Sequence, residues 1–467
     1  MKKHKRDLHE LTATAALALF RAGELDPLYY ARSLVDRARA IEPRLKAFAH
    51  FDPEAFLAAA EKASFAVKSA RSSGDRLSAL VGVPVGVKDN IDTKGIPTAA
   101  GSPLYKNRVP LKDAACLEPL WHDGAILHSK TVTTELAYFD PGPTRNPWNT
   151  QHTPGGSSSG SAAGVAAGLF PVALGTQTGG SVIRPASYCG IVGFVPTHGI
   201  LPMEGILPFA RTVDGLGIFA RRVEDAALVF ESLSVSRVGE SLGRKPEIGP
   251  LPPLERAPYL GLAREYFVEE ADDEMGRMVI HAARHLVARG AVVHVAHLPE
   301  SFSQVHAYHR RLMEMELARE QCENFQASRA SFGRKVAELI ESGLEMNELD
   351  YRRALTHRER FRSDAAKLVR ELDAILLPAA PSAAPFGLES TGDPRFSIPW
   401  TNAGFPVVTL PAGLSSTGLP LGVQLVGAPG TDLHLLRVAR AVEDLLEWGR
   451  GVVTPEHEIA SAAGALN

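Results

Sequence analysis

Glycine, serine and alanine fill ten of the twelve positions in TPGGSSSGSAAG, the stretch from Thr153 to Gly164. Such a run suits a flexible linker, a phosphate-binding loop or the serine turn of a hydrolase. Residues 160–170, GSAAGVAAGLF, have a helix-like pattern of small side chains, and the following PVALGT is typical of a buried strand. A flexible linker therefore fits poorly, because the run leads directly into elements that are expected to pack in a core.

The phosphate-binding loop and the serine turn each lack a necessary feature. A phosphate-binding loop carries a lysine after its second glycine, but Ser161 and Ala162 follow Gly160 here. Residues 156–160 match the G-x-S-x-G pattern of a serine elbow, which sits on a turn from strand to helix. The preceding RNPWNTQHTPG is polar and contains proline, which is untypical of a strand. The run by itself leaves its function open.

Two further stretches place polar groups at the ends of apolar runs. GTQTGGSVIRPA, Gly175 to Ala186, has a Gly-Gly-Ser just after a predicted buried strand. Consecutive backbone N–H groups beside a serine hydroxyl are what an oxyanion hole needs. VGVPVGVKDNID, residues 81–92, places Lys88 after an apolar run. Lys88 is either a solvated residue at a strand end or a buried one, and burial would lower its pKa and make the amine a base.

Composition argues against several classes of function. Lys and Arg number 50 and Asp and Glu number 53, so the formal charge is −3. This charge gives no electrostatic reason to expect nucleic acid or an anionic membrane as a partner. There is no run of 18 apolar residues, so no membrane-spanning helix is expected. The three cysteines form no C-x-x-C pair, so we expect no disulfide framework, no metal site and a reducing, cytoplasmic location.

Alternating strand and helix patterns predict an α/β fold. Residues 8–70 have helical spacing, and residues 259–299 read as strand, helix and strand. DAILLP and FPVVTLPAG predict two more buried strands. We therefore expect one large domain, residues 1–467, with a central mixed, mostly parallel sheet that is covered by helices on both faces.

Taken together, the order and spacing of these motifs resemble the amidase signature family over most of the chain. The stretches that carry the resemblance are GVPVGVKDNID near 82–92, TRNPWN at 144–149, PGGSSSGSAAGVAAGL at 154–169, ALGTQTGGSVIRPASYCGIVGF at 173–194 and LPAGLSSTGLPLGVQLVG at 410–427. The resemblance implies the amidase signature fold in four segments: an N-terminal helical segment at 1–70, a signature core at 71–235, a variable substrate-side region at 236–372 and a C-terminal part of the core at 373–467.

The resemblance also implies a Ser-Ser-Lys triad. Ser181 corresponds to the nucleophile, Ser157 to the bridging serine and Lys88 to the base. The family holds the bridging serine in a cis peptide, so the bond between Gly156 and Ser157 is expected to be cis. The implied oxyanion hole consists of the backbone N–H groups of Thr178, Gly179, Gly180 and Ser181.

Four residues are candidates for substrate binding. Tyr138, Phe139 and Asp140 lie where family members carry a substrate-facing loop, although ordinary packing explains the two aromatic rings equally well. Arg184 either pairs with an internal carboxylate or binds an anionic group of the substrate through its planar fork, as a similar arginine does in malonamidase.

The implied activity is hydrolysis of the carbon–nitrogen bond of a small or medium amide through a serine acyl-enzyme. It needs no cofactor, and a small-molecule amide is the expected partner, with a homodimer as one possible assembly. The alternative is the glutaminase (A) subunit of a tRNA-dependent amidotransferase. That subunit usually has Met-Gly-Ser where this chain has Tyr138, Phe139 and Asp140, and the family commonly has lysine where this chain has Val195. The first departure counts against the alternative.

Overall fold

One eleven-stranded sheet forms the centre of the protein in a computed structural model that describes residues 7–242 and 249–448. Its strands are β1 (Phe48–His50), β2 (Pro84–Lys88), β3 (Ile126–Thr131), β4 (Val172–Gln177), β5 (Val192–Val195), β6 (Gly215–Ala220), β7 (Tyr259–Leu262), β8 (Val292–Val295), β9 (Ala374–Pro378), β10 (Val407–Leu414) and β11 (Pro420–Val426). The α-helices are α1 (Ala13–Ala22), α2 (Pro27–Leu45), α3 (Pro53–Ser73), α4 (Leu117–His122), α5 (Ser159–Ala166), α6 (Ile183–Cys189), α7 (Val223–Leu242), α8 (Asp273–Ala288), α9 (Val305–Ala327), α10 (Arg334–Glu345), α11 (Glu348–Val369), α12 (Ile398–Ala403) and α13 (Asp432–Leu446).

The strands follow the order β1-β3-β2-β4-β6-β5-β10-β11-β9-β7-β8. Strand β2 is parallel to β3 and β4, and β7 is parallel to β8 and β9. The other pairs are antiparallel. The predicted mixed α/β sheet is confirmed, including the unit β7-α8-β8, but its centre is more antiparallel than expected. One reason is that residues 415–419 join β10 to β11, a connection too short for parallel strands.

Helices cover both faces of the sheet because side chains alternate along each strand. In β4, Val172 and Leu174 enter one apolar cluster and Ala173 enters the other. Helices α1, α3, α7, α8 and α13 pack in the first cluster, and α5, α6, α11 and α12 pack in the second. The two clusters hold the sheet rigid between them, which fixes the strand ends where the polar motifs lie.

The N-terminal segment differs from its prediction in one element. Besides α1, α2 and α3 it contains β1, which pairs with β3 at the edge of the sheet. Three residues are too few to show an alternating pattern. Among the described helices, none combines the length and apolar character that a bilayer span requires. Parts of the expected segments, residues 1–6, 243–248 and 449–467, lie outside the described residues.

The run TPGGSSSGSAAG is buried along its whole length, which excludes a solvated linker. Its small side chains allow other backbone segments to approach closely. A Cβ atom on Gly160 would lie 2.2 Å from the carbonyl oxygen of Ala47 and 2.5 Å from the nitrogen of Val132. The Gly160 N–H also donates to the Val132 carbonyl at 2.9 Å. The composition of the run therefore reflects tight packing rather than flexibility.

Replacing Gly160 with alanine is expected to lower the free energy of unfolding by about 3 kcal/mol, because both clashing atoms belong to the backbone and cannot rotate away. Urea denaturation followed by circular dichroism measures this. The control is Gly215→Ala in β6, where a Cβ meets its nearest neighbour at 3.7 Å. That change is expected to stay within about 1 kcal/mol of the wild type. Equal losses in the two variants would contradict the packing argument.

Candidate active site

Lys88 is the last residue of β2, a strand whose five residues are all buried. Its side chain has 0% exposure, so the solvated position that the sequence left open is wrong. Burial lowers the pKa of the Lys88 amine well below its usual range, and the charge of Asp214 opposes this shift. The site therefore favours the neutral amine far more than water does.

Ser157 lies directly against the amine of Lys88. The distance from Lys88 Nζ to Ser157 Oγ is 2.8 Å, and both side chains are buried. Ser157 follows a cis peptide bond with Gly156, as expected. Its carbonyl oxygen accepts the N–H of Thr134 at 3.2 Å. A buried amine and a serine hydroxyl thus share a hydrogen bond at the end of β2.

The Gly-Gly-Ser turn, residues 178–181, connects β4 to α6. Gln177 Oε1 accepts the N–H groups of Val182 and Ile183 at 2.9 and 3.1 Å, which satisfies the first donors of the helix. No acceptor among the described residues takes the N–H groups of residues 178–181. Ser181 is 7% exposed. The turn therefore presents one hydroxyl and four unpaired backbone donors.

Side chains from two neighbouring segments hold this turn in place. Thr178 Oγ1 donates to Asp214 Oδ1 at 2.6 Å, and the other oxygen of Asp214 accepts two backbone N–H groups. Thr401 in α12 donates to the carbonyl oxygen of Gly179 at 3.0 Å and accepts from Gln177 Nε2 at 2.9 Å. The donors of the turn are thus fixed before any ligand arrives.

Arg184 is buried beside the cis peptide rather than beside an acid. Its Nη2 donates to the carbonyl oxygen of Gly156 at 2.6 Å and to Thr391 Oγ1 at 3.2 Å. Among the described residues, Nε and Nη1 have no hydrogen-bond partner, and no carboxylate forms an ion pair with the guanidinium. The guanidinium lies 5.5 Å from the ring centroid of Phe139. Burial lowers the pKa of Arg184 to about 10. An internal ion pair, one of its two expected roles, is absent among the described residues.

The loop at residues 138–140 packs largely against other parts of the protein. The ring of Tyr138 stacks on Phe209 with centroids 5.4 Å apart. Asp140 Oδ2 accepts the N–H groups of Lys335 and Val336 at 3.2 Å each, in the first turn of α10. These contacts give Tyr138 and Asp140 structural partners, whereas Phe139 lies next to Arg184.

A second buried lysine, Lys130 in β3, lies near the site in a different environment. Its Nζ is 3.6 Å from Asp89 Oδ1 and donates to the carbonyl of Ile91 and the hydroxyl of Thr98, both at 2.7 Å. Burial lowers the pKa of Lys130 to about 8, and the charge of Asp89 opposes this shift. Lys130 thus has an acidic partner, whereas the contacts of the Lys88 amine within residues 7–242 and 249–448 are with hydroxyl and carbonyl oxygens.

The structure adds residues to the site that the sequence analysis did not predict. They include Asn90, Thr176, Gln177, Asp214 and Thr401. Asn90, Thr176 and Gln177 lie inside the quoted VKDN and GTQTGGS motifs, so polar residues at the end of an apolar run were the available signal. Asp214 lies far along the chain, and no local pattern marks it.

Comparisons with known proteins identify the family. The chain matches the amidase family over residues 30–436. The A subunit of glutamyl-tRNA(Gln) amidotransferase from Chloroflexus aggregans is 33% identical over 95% of this chain and 98% of its own length. Among solved structures, the peptide amidase of Stenotrophomonas maltophilia has a TM-score of 0.78 and 29% identity, and 6-aminohexanoate cyclic dimer hydrolase has a TM-score of 0.81 and 25% identity. Each covers 95% of this chain and 98% of the solved one. The chain therefore belongs to the amidase family, the amidase signature enzymes.

Proposed function

We propose that this protein is an amidohydrolase that cleaves the carbon–nitrogen bond of a small or medium amide through a serine acyl-enzyme. The observation that carries the proposal is the buried contact of 2.8 Å between Lys88 Nζ and Ser157 Oγ. A lysine whose pKa is lowered by burial can act as a base, and in the proposed mechanism Ser157 relays the proton between Ser181 and Lys88. No metal or cofactor takes part in the proposed steps.

The reaction begins with proton transfer along the triad. Neutral Lys88 takes a proton from Ser157, which takes the proton of Ser181 as Ser181 Oγ bonds to the amide carbonyl carbon. The same path returns the proton to the leaving nitrogen, the carbon–nitrogen bond breaks, and ammonia or an amine departs. Water then attacks the acyl-enzyme with its proton passing through the same groups, which releases the acid and restores Ser181.

The backbone N–H groups of Thr178, Gly179, Gly180 and Ser181 supply the oxyanion hole. Their lack of protein acceptors supports this role, because the donors are available where negative charge develops on the carbonyl oxygen. Asp214 and Thr401 keep them in position through the side-chain and carbonyl contacts of the turn. One such donor typically contributes about 10²–10³ in rate.

Phe139 and Arg184 are the candidates that remain for contact with the substrate. Two Arg184 nitrogens have no partner in the described part of the chain, which supports an anionic group on the substrate, while Nη2 already donates to the Gly156 carbonyl. Tyr138 and Asp140 act indirectly, by packing the loop against Phe209 and α10.

The curated relatives favour a second function, the glutaminase component of an amidotransferase. Two of them are the A subunits of glutamyl-tRNA(Gln) amidotransferases, each 33% identical over nearly the full chain. The same triad chemistry would release ammonia from glutamine for a partner chain. The loop with Tyr138, Phe139 and Asp140 distinguishes this chain from the Met-Gly-Ser that is usual in those relatives, and the solved neighbours include a peptide amidase and a cyclic dimer hydrolase.

The test is ammonia or amine release from a panel of amides: glutamine, malonamate, aryl amides and fatty amides, with each acidic amide paired with its neutral analogue. Turnover of one or two amides by the isolated chain supports the amidohydrolase, and a preference for the acidic member of a pair supports the role of Arg184. Glutamine turnover that appears only with amidotransferase partner chains and tRNA would instead establish the second function.

A further inference from the structure

The amine of Lys88 has three neighbours, and two of them belong to one residue. Lys88 Nζ lies 2.8 Å from Thr176 Oγ1 and 3.4 Å from the Thr176 carbonyl oxygen, besides its contact with Ser157 Oγ. Asn90 Nδ2 donates to Thr176 Oγ1 at 3.0 Å. All four side chains are buried, so no solvent competes for these bonds.

The three oxygens around the amine match the hydrogen-bonding capacity of both protonation states of lysine. A neutral lysine amine has two N–H donors and one lone pair, whereas the ammonium has three donors. The two oxygens of Thr176 can accept both donors of the neutral amine. The lone pair is then left for the hydroxyl proton of Ser157. After proton transfer, the ammonium donates its three N–H groups to the same three oxygens.

We propose that Thr176 and Asn90 are positioning residues that aim the lone pair of Lys88 at Ser157. The inference rests on the proposed function and extends the set of residues that control it. Thr176 holds the amine with its hydroxyl and its backbone carbonyl, and Asn90 holds the hydroxyl of Thr176.

The location of Thr176 suits this role. It lies in β4, the parallel neighbour of β2, so a fixed strand pairing sets its distance from Lys88. Its β-branched side chain is stiff about χ1, whereas the lysine stem is flexible. Ser158 Oγ also donates to the Thr176 carbonyl oxygen at 3.2 Å. Thr176 therefore ties the base to the segment that carries Ser157.

Removal of the Thr176 hydroxyl has a predictable effect on the pH profile. The hydroxyl oxygen accepts a hydrogen bond from the ammonium form, so its loss lowers the pKa of Lys88 further. The nearby charged groups do not offset this change: Asp214 acts on Lys88 in every variant, and the carboxylate of Asp89 faces Lys130. The acidic limb of kcat/KM is therefore expected to move to lower pH in a variant that lacks the hydroxyl.

The test compares Thr176→Val with Thr176→Ser. Valine keeps the shape of the side chain without the hydroxyl, and is expected to lower kcat about 10²-fold with KM changed less than about twofold. Its acidic limb is expected to move down by about one pH unit. Serine restores the hydroxyl, so Thr176→Ser is expected to recover both kcat and the wild-type position of the acidic limb of the kcat/KM profile. A valine variant with the wild-type rate and limb, or a serine variant that recovers neither, would overturn the inference.

A second readout separates this inference from the proposed function. The rate at which a fluorophosphonate labels Ser181, followed by mass spectrometry across pH, depends on the base and needs no amide substrate. Normal labelling of the wild type and of Thr176→Ser with slow labelling of Thr176→Val supports the positioning role. Equal labelling rates for the wild type, Thr176→Ser and Thr176→Val would overturn the positioning role and leave the proposed function standing. Absence of a Ser181 adduct in the folded wild type overturns the proposed function, and the inference with it.

Asn90→Ala provides the measurement if Thr176→Val does not fold. It leaves both contacts of Thr176 with Lys88 possible but removes the donor that holds the Thr176 hydroxyl. Labelling is expected to slow about tenfold, and labelling at the wild-type rate would overturn the role of Asn90.

Discussion

Ser181→Ala is expected to abolish amide turnover and to leave the fold intact. The loss in kcat is expected to be about 10⁴–10⁶-fold, because the substitution removes the only hydroxyl at which the proposed acyl-enzyme forms. Stability changes little, since no described group hydrogen-bonds to the Ser181 side chain. Ammonia release from the best amide of the panel measures the first effect, and circular dichroism with urea denaturation measures the second.

Ser187→Ala is the matched control for this prediction. Ser187 lies in α6, six residues beyond Ser181, and its buried hydroxyl has no hydrogen-bond partner among the residues that the structure describes. Removal of that hydroxyl is expected to leave turnover unchanged. Substantial turnover by Ser181→Ala, or a fluorophosphonate adduct on a different serine, would show that another residue is the nucleophile.

Apolar spacing along the sequence predicted the helices and strands whose formation depends on neighbouring residues in the chain. The unit at residues 259–299 and the small-residue helix after Gly160 both appear where the apolar spacing placed them. The antiparallel centre of the sheet did not follow from these patterns. Strand direction there depends on which distant strands meet, such as β5 beside β10, and strand spacing alone carries no information on that choice.

The residues of the candidate site likewise fall into two groups, those that lie in sequence motifs and those whose contacts come from distant segments. The resemblance points to Lys88, Ser157 and Ser181 as the proposed triad because they lie in contiguous motifs. Thr176 lies in one of these motifs, but its contact with Lys88 could not be predicted because it arises from the pairing of β2 with β4, across 88 positions of the chain. The role of Asp140 in the first turn of α10 likewise depends on a segment nearly two hundred residues away. Asp214, which holds Thr178 from a distant segment, lies outside the quoted motifs and leaves no local signature.

Lys88→Met is the second substitution with a large expected effect. It removes the proposed base while filling its volume, and is expected to lower kcat/KM about 10³–10⁴-fold at pH 7. The folded protein binds fewer protons at Lys88 than the unfolded chain does below the ordinary pKa of 10.5. Stability therefore rises with pH through this residue, and methionine is expected to remove that contribution. Rate assays and urea denaturation at several pH values measure both effects.

Lys130→Met shows whether loss of any buried lysine has the same result. Lys130 compensates the buried charge of Asp89 at 3.6 Å, so its removal leaves an unpaired carboxylate and is expected to cost about 3–5 kcal/mol of stability. Lys88 forms no such ion pair with any described residue, so Lys88→Met is expected to lose activity with a much smaller loss of stability. The partners of these two buried lysines therefore predict different results: Lys130, which pairs with an acid, is expected to matter for stability, and Lys88, which contacts hydroxyl groups, is expected to matter for activity. A near-normal rate for Lys88→Met would remove the proposed base.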